Sequence, residues 1–277
     1  IIFLAVGSIS IIVNIIDSKQ NNKKPFYKEV YKNNEFILIS CLNYIRLFLF
    51  TTAISFKNWG IVTATYLTFP IYVAILTSSI LNIKLKKEEI AGVIISIVGI
   101  LIINYSSIKM FFVSTFTKMS LYEILYPLIA AVIFAYQLIL SKKYNKLNAN
   151  ELIITQFIPV LPIALVFVCI RNIYPFNKIY EFLLVPTLPI NFKHIIYAFI
   201  YSCIQFYLGY LIIFLFIEKY SPLLASVLSY ISIFVSFMVQ RYYFGKHICY
   251  YKLGATLFIL IGIILISYTE HDIRKIK

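Results

Sequence analysis

The sequence predicts an all-α membrane protein, and three observations carry that prediction. Of the 277 residues, 61% are hydrophobic and the mean hydropathy is +0.88. Only 13% are charged, against about 25% in ordinary soluble domains. A soluble fold of this size needs a mostly polar surface, and the composition does not supply one. The apolar residues also fall in runs near the roughly 20 residues that a helix needs to cross a hydrocarbon layer of about 30 Å. These runs lack the alternation of barrel strands, and a helix satisfies its backbone hydrogen bonds within the segment.

Nine runs are read as spans: 1–17, 35–56, 61–82, 90–107, 120–140, 151–170, 194–217, 222–243 and 253–269. The first is short for a full crossing. The second carries Arg46 near its centre, and the third carries Pro70. The fourth follows the basic turn Lys84–Lys87 and contains Gly92 and Gly99. The fifth ends before Lys142 and Lys143. The sixth and seventh hold Gln156 and Gln205, the eighth opens on Pro222, and the ninth runs into a basic tail. Ser18–Asn34 and Arg171–Lys193 are the only connections with room to move. Outside Arg46, fifteen basic residues fall on the face that includes the C-terminus and nine on the other. That bias predicts a cytoplasmic C-terminus.

The formal charge of +14 is loop charge suited to lipid headgroups. No groove-sized basic element with interleaved stacking residues appears, so nucleic acid is not an expected partner. Cys41, Cys169, Cys203 and Cys249 lie within or at the ends of apolar segments without a CxxC pair, and His194, His247 and His271 are far apart. Neither a metal site nor a cofactor is expected. The sequence has no HxxxD or DxxD pattern for a membrane-embedded enzyme and no filter-like motif for a channel. The expected partners are a small-molecule substrate and the bilayer.

The chain repeats itself. A shift of 163 residues places Gly99 on Gly262, Ile100 on Ile263 and Tyr105 on Tyr268, so that GILIINYS falls on GIILISYT. In the same register Phe36 falls on Phe199 and Tyr44 on Tyr207, and spans two to four fall on spans seven to nine. A displacement of five spans is odd, so the copies cross the membrane in opposite senses. Inverted repeats of this kind build a midplane cavity around a pseudo-two-fold. The register divides the chain into a first repeat at 1–107 and a second at 120–270. It also predicts one further helix ahead of residue 1, for ten in a 5+5 arrangement.

The stretch Ser55–Asn104 resembles the second half of an EamA-type domain of the drug/metabolite transporter superfamily. Pro70, Ile71 and Tyr72 match the centre of its proline helix, and Gly92 and Gly99 match its Gly-x6-Gly helix. The segment from Pro222 has the same layout, with Gly245, Gly254 and Gly262. The Glu often found in the turn after the proline helix is replaced by Ile83 and by Lys246. The resemblance implies a secondary transporter working by alternating access. Its nearest variants are a nucleotide-sugar or phosphate-ester exchanger and an exporter of amphipathic compounds.

Arg46 is about ten residues from either end of its span, roughly 15 Å deep at 1.5 Å per residue. A charge at that depth faces a bundle interior or a watery cavity, and guanidinium grips carboxylate or phosphate bidentately. The expected substrate is therefore a small anionic or zwitterionic metabolite. Asn43 lies one turn earlier on the same face. Thr65, Tyr66, Thr68 and Pro70 on one proline-helix copy, Ser229 and Tyr230 on the other, and Gln137 and Gln205 complete the candidate site. Small hydroxyl residues also serve close helix packing, and Gly92, Gly99, Gly254 and Gly262 are read as helix contacts. No Asp or Glu lies in mid-span, which favours facilitated or exchange transport over proton coupling.

Overall fold

The structure is a computed structural model and describes residues 2–21, 24–54, 59–105, 109, 118–144, 147–162, 196–197, 199–200, 203–230 and 250–275. Its regular elements among the described residues are helices: α1 (Ile2–Gln20), α2 (Asn34–Ile54), α3 (Trp59–Tyr66), α4 (Phe69–Ile80), α5 (Lys87–Ile103), α6 (Lys118–Lys143), α7 (Ala149–Phe157), a π-helical turn (Cys203–Tyr207) continuing into α8 (Leu208–Lys219), α9 (Pro222–Leu228) and α10 (Tyr250–Lys275). Several begin on local hydrogen-bonding signals. The Asn148 side chain accepts from Glu151 N, and the Glu151 carboxylate accepts from Asn148 N, both at 2.9 Å, forming a capping box for α7. Glu89 reaches back to Lys86 N at 2.7 Å ahead of α5, and Ser221 Oγ accepts from Leu224 N at 3.0 Å before α9, with Pro222 in its first turn.

By length and composition, Asn34–Ile54, Val62–Ile80 and Ile124–Lys143 suffice to cross a membrane. Polar and apolar residues are arranged accordingly. Ser10, Asn14, Ser40, Asn43, Arg46, Ser96, Gln137 and Gln156 are buried, while Ile12, Ile45, Ile75, Ile94, Ile129, Ile212 and Ile264 are exposed. A soluble fold would not leave that many large apolar side chains outward. The expected spans 151–170 and 222–243 run into residues outside the described set, as does Arg171–Lys193.

The expected single helix over 61–82 is two helices, α3 and α4, broken at Leu67 and Thr68. Pro70 stands in the first turn of α4 rather than mid-helix. It has no N–H for the carbonyl four residues back, and Ile71 N turns to Thr68 O at 3.0 Å. The Leu67 carbonyl is thereby freed and accepts the Tyr230 hydroxyl. α9 also stops, at Leu228, 162 residues after α3 ends at Tyr66, with Ser229 and Tyr230 in a turn, although the shift of 163 places Ile233 on Pro70.

Among the described residues, α5 and α10 form the most extensive helix pair. A Cβ on Gly92 would lie 2.7 Å from Gly262 O, and a Cβ on Gly99 2.7 Å from Ala255 O. One on Gly262 would collide with Ser96 Oγ and Gly92 O. These are the close small-residue contacts that let helix backbones approach. Gly254 differs from its expected role: a Cβ there meets nothing within 4 Å, because Ala255 takes the contact position.

The pairing is reciprocal. Ala255 stands 163 residues after Gly92 and Gly262 stands 163 after Gly99, and each glycine meets the other's counterpart. Tyr230 and Leu67, also 163 apart, meet each other. α2 packs on α7, and the π turn, which a shift of 163 places on residues 40–44 of α2, packs on α1.

Ser18–Asn34 has less freedom than its polarity suggests. Phe26–Lys28 and Val30–Lys32 form 3₁₀ turns, Val30 is 0% exposed, and the Tyr31 hydroxyl donates to Ile158 O at 2.9 Å. Val30 joins a cluster with Phe36, Ile39 and Ile154, which anchors the loop across the ends of α2 and α7. Burial also pushes the Tyr31 phenol above its ordinary pKa.

Candidate functional site

The site grows from Arg46 on α2. Its residue is 4% exposed, and its guanidinium is met from three helices. Nε and Nη2 donate to Asn43 Oδ1 at 3.3 and 2.7 Å, and Nη1 donates to the Tyr66 hydroxyl of α3 at 2.8 Å. Nη2 also donates to the Tyr210 hydroxyl of α8. The Phe134 ring of α6 lies 4.6 Å from the guanidinium carbon and the Tyr210 ring 5.6 Å from it. Such faces attract a cation by about 0.5–2 kcal/mol.

Every one of these partners is neutral. The Lys143–Glu35 ion pair has both side chains more than half exposed, and among the described residues no carboxylate pairs with Arg46. A buried charge without a counter-ion carries a desolvation cost of several kcal/mol, which phenol and amide dipoles offset only in part. Four of the five guanidinium N–H bonds are engaged, leaving one on Nη1. A carboxylate or phosphate arriving here would exchange neutral acceptors for a charged, bidentate one.

Asn43 is fixed from behind. Its Nδ2 donates to Gln156 O at 3.1 Å, and Ser40 Oγ donates to the same carbonyl at 3.0 Å. Ser40 Oγ also accepts from Val160 N at 3.0 Å. This network binds α2 to the end of α7, where helix carbonyls and amides lose their intrahelical partners. Gln137 Nε2 donates to Ile39 O at 3.2 Å. The Oε1 atoms of Gln137 and Gln156 are buried without a hydrogen-bond partner, two polar acceptors left over within the polar interior.

The structure brings Arg46, Asn43 and Tyr66 together directly. Gln137 lies one turn along α6 from Phe134. An aromatic chain links Tyr66, Phe69 and Tyr230, with ring centroids 5.9 and 6.3 Å apart, so Tyr230 and the Pro70 break adjoin the site. The hydroxyls nearby are turned to their own helices. Thr68 Oγ1 donates to Thr65 O at 2.7 Å and Ser229 Oγ to Ser226 O at 2.6 Å, the local back-bonding usual for these residues. Gln205 is in the π turn, and its side chain lies outside the described residues. Sequence reasoning missed Tyr210 and Phe134. With 23 Tyr and 24 Phe in the chain, neither stands out until the helices converge.

Residues 121–268, just over half of the chain, match the EamA-like transporter family. No curated protein sequence matches. A crystal structure with 11% sequence identity superposes with a TM-score of 0.69 over 98% of this chain and 86% of its own; at that identity the likeness concerns the fold.

Proposed function

Because the chain belongs to the EamA-like transporter family, whose members are membrane transporters, we propose that it is a secondary carrier for a small organic anion or zwitterion, with Arg46 contacting the anionic group. The observation that carries this reading is a buried guanidinium held by neutral partners. Three of them, Asn43, Tyr66 and Tyr210, can exchange a hydrogen bond with an incoming solute. The polar interior and the unpartnered Gln137 and Gln156 oxygens support a lumen that receives a polar molecule.

Two inverted repeats, 1–107 and 120–270, rock against one another in this reading, in a 5+5 architecture with the C-terminus cytoplasmic. The reciprocal contacts at a shift of 163 support it, since a two-fold related pair of surfaces makes each contact twice. So does the helix break at Leu67–Thr68, because discontinuous helices commonly line a carrier's midplane site. Arg46 and Tyr66 belong to the first half and Tyr210 to the second, so rocking must remake the Arg46–Tyr210 bond.

The test is exchange in liposomes across a panel of anionic, zwitterionic and neutral metabolites. Arg46→Gln is expected to lower uptake of the transported anion at least tenfold, and Arg46→Lys, which keeps charge but loses the fork, to recover part of it. Unchanged uptake and affinity in Arg46→Gln for every anionic or zwitterionic substrate found would overturn the anchor role. A steady conductance without solute exchange would overturn the carrier.

A further inference from the structure

A groove of about 760 Å³ lies between α4 and α5, and Arg46 is not among its lining residues. Ile71, Ile75 and Ser78 line it from α4, and Ile90, Ile94 and Val98 from α5. Most of these side chains are exposed, so the groove opens on the outer surface of the bundle. α5 turns its Gly92, Ser96 and Gly99 face to α10 and leaves this other face uncovered.

The groove has a polarity. One end is at Ile71, the middle of the membrane-crossing stretch Val62–Ile80, and the other is at Lys84 in the turn joining the helices. From Ile71 to Ile80 the helix rises about 14 Å, close to one leaflet, or half of a roughly 30 Å hydrocarbon layer. Lys84 is exposed at the headgroup end. No described ion pair engages it, and the nearby Glu89 carboxylate is committed to Lys86 N.

We propose that this groove is a binding site for an anionic phospholipid, with an acyl chain lying between α4 and α5 and the phosphate on Lys84. The apolar walls match the tail in length and chemistry, and the unpaired ammonium matches the headgroup. The site is independent of the transport reading, since lipid retention is measured without any substrate.

The experiment uses the purified full chain in detergent, given dioleoylphosphatidylglycerol or dioleoylphosphatidylcholine. The two have the same tails and differ in net charge, and bound lipid is counted by native mass spectrometry. One basic residue near a headgroup is worth roughly fivefold in affinity, so the anionic lipid should be retained about that much better. Lys84→Gln should bring the two lipids level, whereas Lys87→Gln, outside the groove lining, should keep the preference. Ser78→Trp and Ile94→Trp, which fill the groove from exposed positions on opposite walls, should each lower retention of both lipids. Equal retention by the native chain, equal effects of Lys84→Gln and Lys87→Gln, or full retention in both Trp variants would overturn the proposal. So would a dimer that either Trp variant dissociates, which would make a second copy the occupant.

Discussion

Two glycines of the long helix pair give opposite expectations for the same substitution. In Gly99→Ala the new Cβ would lie 2.7 Å from Ala255 O and 2.8 Å from Ile259 Cγ1. An ordinary van der Waals contact is 3.4–4 Å, so α5 and α10 must part by about 0.7 Å. The nearest atom is a backbone carbonyl, which no rotamer change can move aside. A gap of 0.5–1 Å forfeits a quarter to a half of each dispersion contact it opens, and overpacking of this kind costs about 1–3 kcal/mol. Replacing Gly by Ala inside a helix also gains up to about 1 kcal/mol. At Gly254 only that gain operates, because nothing lies within 4 Å. The difference between the variants cancels the helix-propensity gain and isolates the contact, at about 1–3 kcal/mol in favour of Gly254→Ala. Thermal unfolding in one detergent reads it, at about 2–4 °C for each kcal/mol in a chain of this order. Coincident melting curves, or a Gly99→Ala variant more stable than Gly254→Ala, would refute the close crossing of α5 and α10.

Tyr210→Phe keeps the ring near Arg46 but removes an acceptor from a charged donor. Such bonds are worth about 1.5–3 kcal/mol, so the variant should melt lower, and a saturating transported anion should restore it more than it raises the native chain; equal shifts would argue against exchange of Tyr210 for substrate. Lys142 Nζ donates to Ile217 O at 2.8 Å and Tyr220 O at 2.7 Å, carbonyls at the C-terminal end of α8. Lys142→Met removes the ammonium that holds those carbonyls, at a cost of about 1–2 kcal/mol; thermal unfolding should show the loss, with Lys142→Arg intermediate.

Much of the fold was legible because membrane constraints act locally. Asn34–Ile54 falls within two residues of the span expected at 35–56, since a long apolar run in lipid has few alternatives to a helix. Glycine spacing likewise marked Gly92, Gly99 and Gly262 as contacts. It misassigned Gly254, because which of two adjacent small residues faces the partner depends on helix rotation. The loop at Ser18–Asn34 looked free because its polar composition hides Val30, whose burial needs Phe36 and Ile154 brought alongside.

The same division holds at the candidate site. Spacing along a helix sets both depth and face, and so already places a cation deep in an apolar segment with an amide one turn away. What surrounds that cation follows from helix packing. Tyr66, Phe134 and Tyr210 come from three other helices, and their convergence depends on how α2, α3, α6 and α8 pack rather than on any pattern within one of them. Pro70 marked a weak point in its helix by its missing N–H, a local property. The Tyr230 hydroxyl that satisfies the freed Leu67 carbonyl comes from 163 residues away, and only folding could bring it there.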